Sequence, residues 1–253
     1  MNQRYIKADW PAPENVVAFS STRAGGCSVG AYKGLNLGHH VGDDLALVDA
    51  NRELLSNVLP DGARVQWLSQ THGAQVVRAG DANGYPQGDA CVSTQVDEVC
   101  AILSADCLPV LLCNRRGTIV AAAHAGWRGL LSGVLEATVD AMNCDGEELL
   151  AWMGPAIGPA AFEVGPEVRS GFIEAVGASS LTELSLCFTR SPTDSQRYMA
   201  DLCALASLRL RKTGVRHIYG GTQCTYSDAD NFFSYRRDGQ TGRMATLICI
   251  KSI

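Results

Sequence analysis

No run of apolar residues approaches the ~18 that a bilayer-spanning helix needs. The first fifteen residues, MNQRYIKADWPAPEN, hold no apolar core of the kind a secretory leader carries. The expectation is a cytoplasmic chain that does not enter a membrane. Positive charge is also in deficit, with 21 Lys and Arg against 26 Asp and Glu, a formal net charge of −5. Gripping a nucleic-acid backbone takes a basic footprint, so nucleic acid is not expected as a partner; a small anion in a local basic pocket remains compatible. No two of the ten cysteines stand at CxxC spacing. In a reducing compartment they read as small buried hydrophobes and not as a disulfide framework. Neither HExxH nor H-x-E…P-C-x-x-C occurs, which removes the metalloprotease and usual nucleobase-deaminase signatures.

What is present is ordinary globular composition, 46% apolar and 19% charged, in a chain long enough to bury a sizeable core. No repeat, low-complexity tract or Pro/Gly/Ser-rich linker divides it, so residues 1–253 are expected to form a single domain. Helical spacing links Leu47, Leu54, Leu55 and Val58; Leu131, Leu135, Val139 and Met142; Val168, Phe172 and Val176, with Pro166 in the first turn; and Tyr198, Leu202, Leu205 and Leu208. Short apolar runs predict strands at 65–68, 74–79, 99–104, 108–113, 118–123, 149–153 and 245–250, with 114–117 (NRRG) as a hairpin turn. Strands cluster from 65 to 123 before a long helix intervenes. That order predicts an α+β class, a layered α/β sandwich of mixed or antiparallel sheets flanked by helices.

Three stretches look unlike routine core or surface. In SQTHGAQ (69–75), His72 lies in a polar connection between two strand candidates. In SADCLP (104–109), Cys107 falls at the break between two apolar strands beside Asp106, which could orient a ligand from behind. In AAAHAGWRG (121–129), His124 ends a strand, glycines follow, and a helix begins near Leu130; Arg128 adds a guanidinium to that helix start, a combination suited to phosphate. Two imidazoles and one thiolate make three protein ligands, the number a catalytic zinc takes while leaving a position open. The same set suits a blue-copper site if an axial ligand is supplied. Alternatively, Cys107 is a nucleophile with His124 or His72 as its base, or His39, His40 or Cys27 closes a structural zinc site.

Two further stretches are specialised. Residues 20–44 carry six glycines and few core formers, an uncommon connection unless it shapes a site; it has neither P-loop nor GxGxxG spacing. Residues 232–243 (FFSYRRDGQTGR) mix aromatics with Arg236, Arg237 and Arg243, rings to stack a base and arginines to hold phosphate. Arg23, Asn36, Arg128 and Arg236 are the candidate substrate-binding residues.

The ordered set STRAGGCSVGAYKGLNLGHHVGDD, QTHGAQV, GDACVST, ADCLPVLL, AAAHAGWRGL, GPAIGPAAFEVGPEV and FFSYRRDGQTGRMATLI resembles the YfiH family, also called the laccase-domain or polyphenol oxidase-like family. The resemblance spans nearly the whole chain and implies a CNF-toxin/YfiH-like fold with His72, Cys107 and His124 as a catalytic metal triad for zinc, with copper as the other candidate. It implies phosphorolysis of adenosine, inosine and methylthioadenosine to free base and ribose 1-phosphate, together with adenosine deamination. A link to editing of peptidoglycan precursors is also implied. Five histidines are too few for a multicopper centre, which leaves at most a single-copper phenol oxidase under the laccase label. In phosphorolysis, Arg128 and Arg236 would hold the phosphate that attacks C1′; in deamination, a metal-activated water would attack C6 of adenine. Asp106 and Glu163 are the candidate general acid/base groups. The expected partners are a nucleoside and phosphate, with no obligatory protein partner.

Overall fold

The computed structural model describes residues 4–81, 84–176 and 181–252. Along the chain run β1 (Tyr5–Lys7), β2 (Val16–Ser21), α1 (Leu45–Ser56), β3 (Arg64–Gln66), β4 (Val76–Arg78), β5 (Ala90–Ser93), β6 (Glu98–Ser104), β7 (Leu108–Asn114) and β8 (Val120–Ala125). There follow α2 (Trp127–Ser132), α3 (Val134–Met142), β9 (Leu149–Met153), β10 (Glu163–Val164), α4 (Pro166–Val176), α5 (Leu181–Leu186), β11 (Phe188–Arg190) and β12 (Tyr198–Ala200). The chain closes with α6 (Leu202–Lys212), β13 (His217–Gly220), α7 (Tyr235–Asp238) and β14 (Met244–Ile250).

Two sheets lie face to face. One has the order β1-β2-β14-β6-β3 and the other β13-β9-β7-β8-β5-β4; a small third sheet has the order β10-β12-β11. Pairing is antiparallel except at β3–β6, β4–β5 and β9–β13, so the large sheets are mixed, as expected. The period-two pleat sorts side chains between layers. On β8, Val120 and Ala122 point between the sheets toward Ile102, Ile248 and Ile250. Ala121, Ala123 and Ala125 point the other way, onto Leu130, Leu135, Phe172 and Leu205 of the helices. The outer face of the five-stranded sheet is covered by Leu55 of α1 and by Leu35 and Leu37 of the glycine-rich stretch. The architecture is therefore helix and loop, sheet, sheet, helices. Strands buried on both faces read as unbroken apolar runs, which is why β6, β7, β8, β9 and β14 are legible in the sequence.

Three helical expectations change. The stripe through Leu131 and Met142 is two helices, broken at Gly133, which sits in the left-handed region at φ 88°. Tyr198 does not begin a helix: it belongs to β12, and α6 starts after Asp201, whose side chain caps the backbone N–H of Ala204. Val58 lies beyond the end of α1 and is exposed. The predicted hairpin holds, with β7 and β8 paired from Leu108↔Ala125 to Cys113↔Val120.

Leu111 is fully buried between the two sheets. Leu111→Ala should cost about 2–5 kcal/mol, read as a lower urea midpoint at unchanged slope; a shift below ~1 kcal/mol would contradict a close-packed inter-sheet core.

Candidate metal centre and its cavity

The site forms where the chain passes from one sheet to the other. Cys107 sits in the turn that carries β6 of the five-stranded sheet into β7 of the six-stranded sheet. His124 stands at the end of β8, 3% exposed. His72 lies in the loop between β3 and β4, in the left-handed region at φ 62°, and Asp106 beside Cys107 is also left-handed at φ 97°. Non-glycine residues held there cost energy and persist only where their surroundings over-determine them.

Asp89, fully buried just before β5, supplies that determination for His72. Its carboxylate accepts from the backbone N–H groups of Thr71 (3.1 Å), His72 (2.9 Å) and Gly73 (2.7 Å) and from the Thr71 hydroxyl (3.0 Å). It also meets His124 Nδ1 at 2.8 Å, while its backbone carbonyl accepts from the His124 N–H at 2.7 Å. With Nδ1 turned to Asp89, Nε2 of His124 is left to act as a ligand. Burial alone pushes the Asp89 carboxyl upward, but hydrogen bonds from His124, Gly73 and Thr71 outweigh it and bring it from an ordinary 3.8 to about 2.

The donor atoms of His72, Cys107 and His124 all lie within 4.8 Å of one another, a span that one ion with bonds of about 2.0–2.3 Å draws together. The two imidazole rings meet edge-on with centroids 4.7 Å apart. Burial pushes the Cys107 thiol up, yet the neighbouring His124 and His72 draw it down to about 6. His124 is pushed down by burial and raised further by Cys107 and Asp89, to about 9. The donor set thus carries thiolate character before an ion arrives, and it fits zinc. A close approach completes the floor: a Cβ on Gly126 would stand 2.7 Å from Cys107 Sγ, so only glycine passes there. Among the described residues the group has these three donors. Cys27 instead bonds to Leu47 and Asn51, and His39 to Asp49 and Tyr85. His40 lines the cavity outside the group. A closed four-ligand structural site finds no fourth donor among them.

Over the cluster opens a cavity of about 600 Å³, walled by Trp127, Phe162, Ile157, Tyr235 and Leu103 and by three arginines, Arg128, Arg236 and Arg243. Among the described residues none of the three pairs with a carboxylate. Arg128 is exposed and lies 4.4 Å from the Trp127 ring. Arg236 donates through Nη1 to the carbonyls of Ala161 and Glu163 and lies over Phe162. The other two candidate binding residues are not in the lining. Arg23 donates to the carbonyls of Ala229 and Lys33 and stacks on Phe233. Asn36 is fully buried, bonding Asp43 and the backbone N–H groups of Gly38 and Arg243. Asp106 lines the cavity, but its two oxygens accept from Thr225 Oγ1 and the Arg236 N–H, both at 2.6 Å, so it staples the C-terminal loop. Glu163 is outside the lining and bonds Ser191, Thr193 and Arg197. Asp89 was not singled out from the sequence, and Arg243 was named among the phosphate-holding arginines of 232–243 but not among the candidate substrate-binding residues. Their signals are the Gly88–Asp89 pair opening a strand and an arginine just ahead of another.

A two-histidine, one-cysteine cluster at the seam of a layered sheet sandwich, under an arginine-walled cavity, defines a metal-capable pocket protein. Residues 17–251 match the family model described as multi-copper polyphenol oxidoreductase laccase, and the chain belongs to that family. It is 48% identical over 247 residues to a protein of Pseudomonas aeruginosa named purine nucleoside phosphorylase, covering 98% of each chain. It is 48% identical to purine nucleoside phosphorylase YfiH of Escherichia coli, covering 97% and 98%. Among solved structures it superposes on a Neisseria meningitidis protein with a TM-score of 0.92 at 48% identity, covering 99% of this chain and 100% of that one. YlmD of Geobacillus stearothermophilus gives 0.90 at 29% identity, covering 99% and 97%.

Asp89→Ala strands five donors. It should lower stability by about 3–5 kcal/mol and weaken zinc binding roughly 10- to 100-fold, read by urea unfolding and chelator competition. Because the Asp89 carboxyl is depressed on folding, its contribution is in place above pH ~4 and fades as pH falls toward 2; Asp89→Ala should lack this acid limb. In metal-free protein, iodoacetamide should label Cys107 with a midpoint near pH 6, blocked by zinc. Cys113, whose thiol burial pushes up to about 12, should stay unlabelled until unfolding. A Cys107 midpoint above 8 in peptide mapping would refute the thiolate reading.

Proposed function

We propose that this chain is a purine nucleoside phosphorylase. Phosphate attacks C1′ of the nucleoside, the N-glycosidic bond breaks, and free base and ribose 1-phosphate leave. The observation carrying this reading is the pairing of a metal-capable cluster with three guanidinium groups that, among the described residues, have no carboxylate partner, in a protein of net charge −5. Such a wall attracts an oxyanion, and the names of the relatives supply the substrate class. His72, Cys107 and His124 would hold zinc, or copper in its place, which would supply Lewis acidity at the cavity floor.

The remaining work falls to the chain itself. Arg128 and Arg236 neutralise phosphate charge, so that two anion-averse steps, approach and attack, occur in one oriented complex. Trp127, Phe162 and Tyr235 offer flat faces to a purine, and Leu103 and Ile157 keep bulk water from the ribose. Partial desolvation and the nearby Arg243 and Arg52 charges push the exposed His40 imidazole below its ordinary value, which suits it to hydrogen-bond a hydroxyl. Adenosine, inosine and methylthioadenosine are the proposed substrates, with adenosine deamination at the same site. We place the reaction in the cytoplasm, in a single domain without nucleic-acid, membrane or obligatory protein partners. Among the described residues, no helix is long and apolar enough to cross a membrane.

A second reading has its own support. Without metal, Cys107, His124 and Asp89 form a thiolate–imidazole–carboxylate series, the arrangement of a cysteine hydrolase. Product analysis separates the two. Pure zinc-loaded protein with adenosine and phosphate should yield ribose 1-phosphate equal to the sum of adenine and hypoxanthine, with inosine from the deaminating branch. Absence of both products sinks the proposal. Metal-free protein that hydrolyses amide or ester substrates and is inactivated by iodoacetamide would support the hydrolase instead.

A further inference from the structure

The three cavity arginines are not equivalent. Arg128 is exposed to solvent and stacked on Trp127, so water screens its charge. Arg236 spends Nη1 on the carbonyls of Ala161 and Glu163. Arg243, half-buried just ahead of β14, is placed by its own backbone: its N–H donates to Asn36 Oδ1 at 2.9 Å, and that oxygen also receives the Gly38 N–H at 3.0 Å. Its Nη1 donates to the carbonyls of Thr241 and Gly242, both at 3.0 Å. Among the described residues, Nε and Nη2 have no hydrogen-bond acceptor and no carboxylate pairs with the group. The negative groups facing it are Cys107 and Asp106. Cys107 belongs to the donor cluster, and both oxygens of Asp106 are engaged elsewhere. A half-buried guanidinium that lines the cavity with two unspent donors, and that among the described residues pairs with no carboxylate, is placed to take an anionic ligand.

We propose that Arg243 is the principal oxyanion subsite of the cavity: Nε and Nη2 take a tetrahedral oxyanion such as inorganic phosphate as a two-pronged fork, and Asn36 is the positioning residue that aims it. Arg128 and Arg236 are then the outer attraction and the side wall. The inference rests on the phosphorolytic reading for the role of that oxyanion, but binding can be measured without turnover.

Inorganic phosphate is titrated calorimetrically into the full-length zinc-loaded protein, its Arg128→Gln variant, and Arg243→Gln and Arg243→Lys. The glutamine keeps a donor for the Thr241 and Gly242 carbonyls, and circular dichroism checks the fold; the lysine retains the charge without the fork. Arg243→Gln should weaken phosphate binding roughly 10- to 100-fold, Arg243→Lys by less, and Arg128→Gln, which removes a solvent-screened charge of the same wall, by less than Arg243→Gln. In turnover, KM for phosphate should rise with Arg243→Gln while KM for the nucleoside stays within about 3-fold, the split expected of a group that touches one co-substrate. Wild-type protein that binds no phosphate, an Arg243→Gln variant that binds it as well as wild type, or a larger loss from Arg128→Gln overturns the proposal. Phosphate binding that depends on Arg243 in a protein making no ribose 1-phosphate leaves the subsite standing and fells the phosphorylase reading. Phosphorolysis with an unmoved KM for phosphate in Arg243→Gln does the reverse.

Discussion

One buried carboxylate governs the centre. Asp89 gathers three successive backbone N–H groups and a hydroxyl from the His72 loop and, through the same two oxygens, the far nitrogen of His124. A charged group with no exposure is tolerable only when its oxygens are saturated with donors, and here they are. The loop cannot relax from its left-handed turn at His72 without stranding those donors. The spacing of the two imidazoles therefore follows from a demand for hydrogen-bond satisfaction that has nothing to do with metal. Ligand geometry comes as a by-product of solving a burial problem, which is the physical content of pre-organisation.

The same logic extends outward in weaker form. Asp106, also in a left-handed turn, ties the Cys107 turn to Thr225 and Arg236. Asn36 ties the glycine-rich stretch to Gly38 and Arg243. Each polar residue inside this end of the sandwich connects segments distant in sequence, and together they bring a cationic wall over an anionic sulfur. In a chain of net charge −5, three arginines gather at this one cavity.

Much of this was legible in the sequence where burial is two-sided or chemistry is out of place. The runs at 99–104, 108–113 and 149–153 match β6, β7 and β9 closely because both faces are covered. Cys107 drew attention by standing between strands instead of within one, and His124 by ending an alanine run. The half-exposed edge strand β13 was not legible, since HIYG has no alternation to detect. Tyr198 matched a helical stripe by chance, because the spacing rule cannot see that Asp201 resets the phase. Arg23 and Asn36 were picked for lying in a stretch that does shape the site, yet one packs on Phe233 and the other is sealed inside. Composition marks a loop as specialised without saying which of its side chains turn inward. Asp89 was hidden for a related reason: an aspartate before a strand has the profile of any turn, and only the three-dimensional convergence of His72 and His124 gives it a role.

The crossing of Cys107 from one sheet to the other has a mechanical meaning. An ion held by a residue on that crossover, by the end of β8 and by the loop after β3 would be a rivet through the seam between two halves of the molecule. Any ligand that binds only the folded form adds its binding energy to folding, and here that energy is delivered at a joint. If the cluster holds an ion, metal supply would become a setting for how tightly the halves are fastened. In a cell short of metal the chain would forfeit cohesion in the place where its pocket must keep its shape, so scarcity would be felt as slackness before it was felt as missing chemistry.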